Sequence, residues 1–160
     1  MYAVYCAVRQ DDGTSPAEDF LLALQSNSLP DDPESAIGSD EQASVFAWFL
    51  DLFQSFADSG VPSFGGAVNY LTDGIWEFKR RNKRITFYDT DGTGGFSRKA
   101  RIKDFADRAS DDENWWWFPN FDPENVRLGH SFLKASDQTA PKDLADAEEV
   151  REEDLKNDRP

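Results

Sequence analysis

The run from Asp73 to Tyr88, DGIWEFKRRNKRITFY, constrains this chain more than any other part of it. Ile75, Trp76 and Phe78, then Ile85, Phe87 and Tyr88, are β-branched or aromatic, the types that fit a pleated surface. Glu77, Lys79, Arg84 and Thr86 are set between them, which predicts two strands with one buried and one wet face, joined by a tight basic turn. Lys79, Arg80, Arg81, Lys83 and Arg84 place five cations within six positions of that hairpin.

Such crowding stands out because the chain as a whole is acidic, with a net charge of −14. Residues 1–60 carry eleven acids and one base, residues 61–105 five acids and nine bases, and residues 106–160 fifteen acids and seven bases. Two readings follow. The cations can neutralise neighbouring carboxylates across a sheet, the commoner fate of a surface charge run, or they can meet a polyphosphate, most plausibly nucleic acid. The overall acidity argues against indiscriminate attraction to nucleic acid or to anionic membranes. With no basic leader and no apolar run long enough to span a bilayer, a cytoplasmic protein without membrane attachment is expected. The lone Cys6 cannot form an intrachain disulfide and reads as a small core residue suited to a reducing compartment. Thirteen Phe and five Trp in 160 residues supply enough apolar mass for a single domain over 1–160 with one core.

In chain order, Tyr2–Val8 is a predicted strand, turned by Asp11-Asp12-Gly13. Ser15, Pro16 and Glu18 then read as a helix start with a capping box, and Phe20, Leu21 and Leu24 form the buried stripe. Residues 26–38, rich in Ser, Pro and Asp, are a loop. Ser39-Asp40-Glu41-Gln42 opens a second helix ended by Gly60 and Pro62. Phe46, Leu50 and Phe53 occupy one side of it, and Val45, Phe49, Leu52 and Phe56 another, so both need cover. Asp89 to Gly95 is a Gly-rich turn. It lacks the third acid of a calcium loop, carries Ala100 where the closing Glu would stand, and has no Gly-Lys-Ser/Thr phosphate ending. A short helix is predicted over Arg98–Ala109. The aromatic Trp115–Phe118 run, flanked by Asp111, Asp112, Glu113, Asp122 and Glu124, is expected to pack on protein, not RNA. A last strand over Asn125–Phe132 and a helix over 142–156 complete the chain.

The hairpin run resembles the core hairpin of the RelE/HigB/ParE-like toxins of type II toxin–antitoxin systems, in their phage-derived HigB-like branch. Leu71, Asp73, Gly74, Trp76, Glu77, Phe78, Lys79, Arg84, Phe87 and Tyr88 occupy the places of that pattern. Ser15, Pro16, Asp19, Phe20 and Leu21 extend the resemblance toward the N-terminus. Leu128, His130 and Phe132, then Thr139, Pro141, Asp143, Leu144 and Ala147 with a one-residue shift, extend it toward the C-terminus. Residues 26–44 and 96–124 lie outside it, and 96–124 reads as an insertion.

The resemblance implies an α+β domain with an N-terminal strand, two helices, a small antiparallel sheet and a C-terminal helix. It implies a toxin that cleaves ribosome-bound mRNA by attack of a ribose 2′-OH on its phosphate, without metal or other cofactor, and that a small antitoxin, of helix-turn-helix type, neutralises. Such chemistry needs a base, cations around the phosphorane and an acid for the leaving oxygen. Arg84, at the family's hairpin arginine, is the candidate for transition-state stabilisation, and Lys79 for the phosphate. His130, the single histidine, and Tyr88 are the candidate acid or base; Arg80, Arg81, Lys83 and Lys134 would grip the flanking RNA backbone. After Phe132 the family's basic pair is replaced by Leu133-Lys134-Ala135-Ser136-Asp137, leaving one cation and adding an acid. Two other classes stay open: a binding module of the same fold without catalysis, and a gyrase-directed ParE-like toxin.

Overall fold

A computed structural model describes residues 3–34, 39–59, 68–97, 102–105, 115–118 and 125–159. In order these form β1 (Val4–Cys6), α1 (Pro16–Gln25), α2 (Ser39–Ser59), β2 (Val68–Thr72), β3 (Ile75–Arg80) and β4 (Lys83–Thr90). Then come β5 (Phe96–Ser97), β6 (Ile102–Phe105), β7 (Trp115–Phe118), β8 (Val126–Leu133) and α3 (Pro141–Asp158).

The predicted hairpin is the middle of the sheet. Phe78 stands opposite Ile85 and Arg80 opposite Lys83, so Arg81 and Asn82 alone make the turn, with Arg81 at a φ of 52°. β2, which the sequence reading does not place, joins β3 through Asp73-Gly74. Both turn residues have positive φ (47° and 82°), the geometry that makes Asp-Gly a favoured hairpin turn. β8 pairs antiparallel with the other side of β4, and β1 pairs parallel with β8. The sheet order is β1-β8-β4-β3-β2, with β5 added to β4. The fold is therefore α+β, as expected, but its six-stranded sheet is mixed, not purely antiparallel. A parallel β1–β8 pair is possible because nearly the whole chain serves as the crossover between them.

Alternation along the strands divides the core. Trp76, Phe78, Ile85 and Phe87 turn to one face and pack with Val45, Phe49, Leu52 and Phe56 of α2 and Phe20, Leu21 and Leu24 of α1. Phe78 and Phe87 stack at 3.9 Å, and Phe56 meets both rings. Each such fully buried side chain contributes roughly 1.5–3 kcal/mol. The second side of α2 is only partly covered: Phe46 and Phe53 are half-buried, whereas Leu50 is 45% exposed. α1 starts at Pro16 as predicted, but Ser15 makes no side-chain cap bond, so the predicted capping box is not formed.

On the opposite face α3 covers one half of the sheet. Ala147 and Val150 pack on Ala7, Ile75 and Tyr88. Beneath the helix, the Tyr88 hydroxyl donates to Asp154 at 2.8 Å, Arg127 to Asp154 and Asp158, and Arg151 to the Asp73 carbonyl at 2.6 Å. Buried polar groups of this kind persist because they are paired.

The helix predicted over Arg98–Ala109 is corrected where it can be described: residues 102–105 are a strand. β6 and β7 form a separate two-stranded antiparallel sheet, with Ile102 opposite Phe118. The aromatic run offers a strand partner, and pairing outweighs the weak preference of a short isolated helix. The remainder of 96–124 beyond β5, and what the Trp115–Phe118 side chains pack on, lie outside the described residues. At the predicted Gly-rich turn, Asp91 accepts from the Thr93 amide, the Thr93 hydroxyl and the Gly95 amide, so its carboxylate is used within the turn. Among the described residues no helix is long and apolar enough to cross a membrane.

Candidate functional site: a cleft between the hairpin and the amino end of α3

The half of the sheet that α3 leaves uncovered carries the polar positions of the hairpin. Because Trp76 and Phe78 turn toward α2, Glu77 turns to the opposite face, as does Arg84 beside Ile85. Register sets Glu77 opposite Thr86 and Lys79 opposite Arg84. Two cavities open here. One, of about 540 Å³, is lined by Glu34, Arg81, Asn82, Arg84, Lys134 and Asp137 among others. The second, of about 400 Å³, includes Asn69, Tyr70, Leu71, Glu77, Thr139 and Leu144, and again Lys134 and Asp137. The shared residues make them two lobes of one cleft.

Glu77 is its deepest group, 1% exposed. Its Oε1 accepts from the Asn69 amide at 3.3 Å and lies 3.6 Å from Arg84 Nε. Its Oε2 is buried with no hydrogen-bond partner, and so is Arg84 Nε. Burial pushes the Glu77 carboxyl above its usual range, against the Asn69 hydrogen bond and the charges of Arg84, Lys134 and Lys79. A buried, incompletely bonded carboxylate beside a cation, in a cleft, is an arrangement found at functional sites. The sequence reading took Glu77 as an interposed polar residue and a position of the resemblance, but not as a site residue. Its signal lay in the spacing, an acid between Trp76 and Phe78 on the strand that faces Arg84.

Arg84 is not the wet-face arginine its sequence context suggests. Its side chain is 12% exposed, and its Nη1 donates to the carbonyls of Arg81 at 2.7 Å and Lys83 at 2.9 Å, riveting the turn. Burial lowers its proton affinity and Glu77 opposes that, yet a guanidinium keeps its charge in such settings.

The other predicted site residues divide. Arg81 and Lys134 line the cleft; Arg81 is also within 3.3 Å of Glu34 and 3.6 Å of Glu41. Lys79 shares the face and acts on Glu77 through its charge. Three expectations are corrected. Lys83 is fully buried against Asp32 at 3.1 Å and Glu34 at 3.5 Å, and cannot grip RNA. Tyr88 is covered by α3, lines neither lobe of the cleft and donates its hydroxyl to Asp154, and burial and Asp154 push its pKa well up, so it is unsuited to proton transfer with a substrate. Arg80 turns to the far side of the sheet and lies over Trp48 at 4.9 Å.

His130 is on the cleft side of the sheet but lines neither lobe. It is held by Asp143 at 3.0 Å and stacks on Phe132 at 5.3 Å. With Asp143 and Asp146 it brings ligand-type atoms within 4.8 Å of one another. Lys142 already neutralises Asp146 at 2.9 Å, and the amino end of a helix disfavours a cation. Searches against protein-family models and among curated proteins find no match to this chain.

Proposed function

We propose that the chain is a RelE/HigB-like toxin of a type II toxin–antitoxin system, acting as an endoribonuclease on ribosome-bound mRNA and held in check by a helix-turn-helix antitoxin. The observation that carries the reading is the partnerless Oε2 of Glu77 at the base of a cleft whose rim holds Arg81, Arg84 and Lys134. In the reaction the ionised Glu77 takes the proton of a ribose 2′-OH. The O2′–P bond forms as the P–O5′ bond breaks, giving a 2′,3′-cyclic phosphate and a 5′-hydroxyl. Arg84 stabilises the charge gained by the phosphorane, and Lys134 protonates the departing O5′ and is reprotonated from water. Because Glu77 must be ionised, and burial raises its pKa, cleavage rises with pH through a value above 4.5.

The test is induced expression without antitoxin, with mapping of mRNA 5′ ends, for wild type and Glu77→Gln. The variant should cut at least about a hundredfold more slowly. Undiminished growth inhibition by Glu77→Gln would overturn the assignment. A second reading, a binding module without catalysis, is favoured by one feature: Lys83 is consumed by Asp32 and Glu34, and Arg81 is shared with Glu34 and Glu41. Under that reading wild type yields no new 5′ ends.

A further inference from the structure

Resting on the nuclease reading, we propose that Asn69 is a positioning residue for Glu77. Its side-chain amide engages Oε1 and thereby leaves Oε2 as the oxygen that takes the 2′-OH proton. Asn69 is the residue that β2 sets directly opposite Glu77 in β3. Val68 before it turns to the α2 core, so Asn69 turns to the cleft, where both residues line the second lobe. Asn is a poor strand former, and its place in Val68–Thr72 needs a reason beyond backbone pairing. Glu77 supplies one.

Two groups act on the carboxylate, and they differ in kind. Asn69 Nδ2 donates to Oε1 at 3.3 Å. Arg84 Nε lies 3.6 Å from the same oxygen, too far for a hydrogen bond, and has no hydrogen-bond partner of its own. Among the described residues the Asn69 amide is therefore the one hydrogen-bond donor to Glu77. A charge attracts a carboxylate without choosing between its oxygens, whereas a directed N–H fixes one of them. Without that donor the carboxyl group can turn about its last torsion, whose preferences are broad, and the two oxygens become interchangeable.

The same bond acts on the proton. Burial favours the neutral carboxyl of Glu77. The Asn69 bond is the largest effect set against it, ahead of the charges of Arg84 on β4, Lys134 beyond β8 and Lys79 on β3. Asp137 is the other acid in the lining of the lobe. A base must be ionised before it accepts a proton, so a donor to Oε1 sets both which oxygen reacts and over what pH range.

The test compares wild type, Asn69→Ala and Asn69→Asp, the last nearly the shape of the native residue. The Glu77 carboxyl is titrated in the folded chain by carbon-13 NMR, its signal assigned with Glu77→Gln. Cleavage of ribosome-bound mRNA is followed in vitro over the same pH range. Asn69→Ala should raise the Glu77 midpoint by about one pH unit, the low end for a hydrogen bond to a charged group, since 3.3 Å is long. The acid limb of cleavage should move by the same amount. Asn69→Asp should raise the midpoint further, because an ionised aspartate removes the donor and adds a like charge. An unmoved Glu77 midpoint in Asn69→Ala, or a cleavage rate reduced by one factor at every pH with the limb in place, would overturn the proposal. Asn69 would then serve only the sheet or the substrate. Should Asn69→Ala not fold, the Asn69→Asp midpoint decides in the same way. The titration uses no RNA, so the two readings fail separately. A shifted midpoint in a chain that cleaves nothing removes the nuclease and keeps the hold of Asn69 on Glu77. Cleavage with neither midpoint nor limb displaced keeps the nuclease and removes the positioning role.

Discussion

Lys83 and Arg84 are adjacent in β4, yet they end in opposite chemical situations. Lys83 points to the α2 side, is fully buried, and meets Asp32, itself 2% exposed, at 3.1 Å. Asp32 also accepts from the Asn82 amide at 3.0 Å and the Glu34 backbone at 2.9 Å. Arg84 points to the cleft, where it and Glu77 stand 3.6 Å apart and each keeps a buried polar atom without a partner. The carboxylates record the difference. Burial pushes Asp32 up, but hydrogen bonds from Asn82, Glu34 and Lys83 outweigh it and hold its pKa below the usual range; Glu77 stays above it. A pair that uses its bonding capacity fixes structure. A pair that leaves bonding capacity buried and unmet beside a cleft has the character of a functional site.

The largest effect that tests this contrast is on activity. Under the proposed nuclease function, Glu77→Gln should slow cleavage at least about a hundredfold while leaving the melting temperature equal or raised, because an amide is cheaper to bury than an ionised carboxylate. Arg84→Ala should also abolish cleavage, but at a stability cost of about 1–3 kcal/mol, since the carbonyls of Arg81 and Lys83 lose their donor. On the other side of the strand, Asp32→Ala should cost about 3 kcal/mol in urea unfolding, the low end for a broken buried pair, because Lys83 keeps only Glu34, at 3.5 Å. Its cleavage rate per folded molecule should stay near wild type. An Asp32→Ala protein that is stable but inactive breaks the comparison.

Tyr88→Phe gives a smaller change. It removes the 2.8 Å donation to Asp154, which keeps Arg127 as a partner, and should cost about 1–3 kcal/mol in unfolding free energy. Cleavage by the folded variant should be unaffected. Loss of activity at full stability would restore Tyr88 to the candidate proton-transfer groups.

How far the sequence disclosed this architecture follows from which signals are local. The β3–β4 hairpin, α1, α2, β8 and α3 were legible because alternation, Pro16, Pro141 and the apolar stripes are written into short windows. β2 was missed, although Asp73-Gly74 is itself a hairpin signal, because Val68-Asn69-Tyr70-Leu71-Thr72 has weak alternation. The parallel β1–β8 pair depends on two strands about 120 residues apart meeting in one sheet, which no local window contains. Strand β6 was read as helix because four residues, Ile102–Phe105, are too short a window to declare a strand without the partner, β7, that they pair with. Arg81, Arg84 and Lys134, which line the cleft, were singled out through the resemblance and the density of charge in the hairpin. Lys83 was wrongly grouped with them because a charge run does not disclose which member meets Asp32. Glu77 was named as a position of the resemblance but given no chemical role, because burial, not residue type, makes it unusual.

The smallest effect is a difference in slope with pH, and it tests the two carboxylates directly. Asp32 has a depressed folded-state pKa, so it binds fewer protons folded than unfolded. Its contribution is present above its ordinary value of 3.8 and is lost as pH falls through the lower folded value. Glu77 has a raised folded-state pKa and binds more protons folded than unfolded. Its contribution is present below its ordinary value of 4.5 and is lost as pH rises through the higher folded value. Glu77→Gln should therefore gain stability relative to wild type as pH rises through that window and then hold the gain. Asp32→Asn should be least stable relative to wild type near neutrality and recover toward it in acid. Urea midpoints for the three proteins over roughly pH 3 to 8 read both slopes. If the curves for wild type and Glu77→Gln run parallel, Glu77 titrates as an ordinary carboxylate. The distinction between the closed pair and the open one would then lose its electrostatic half.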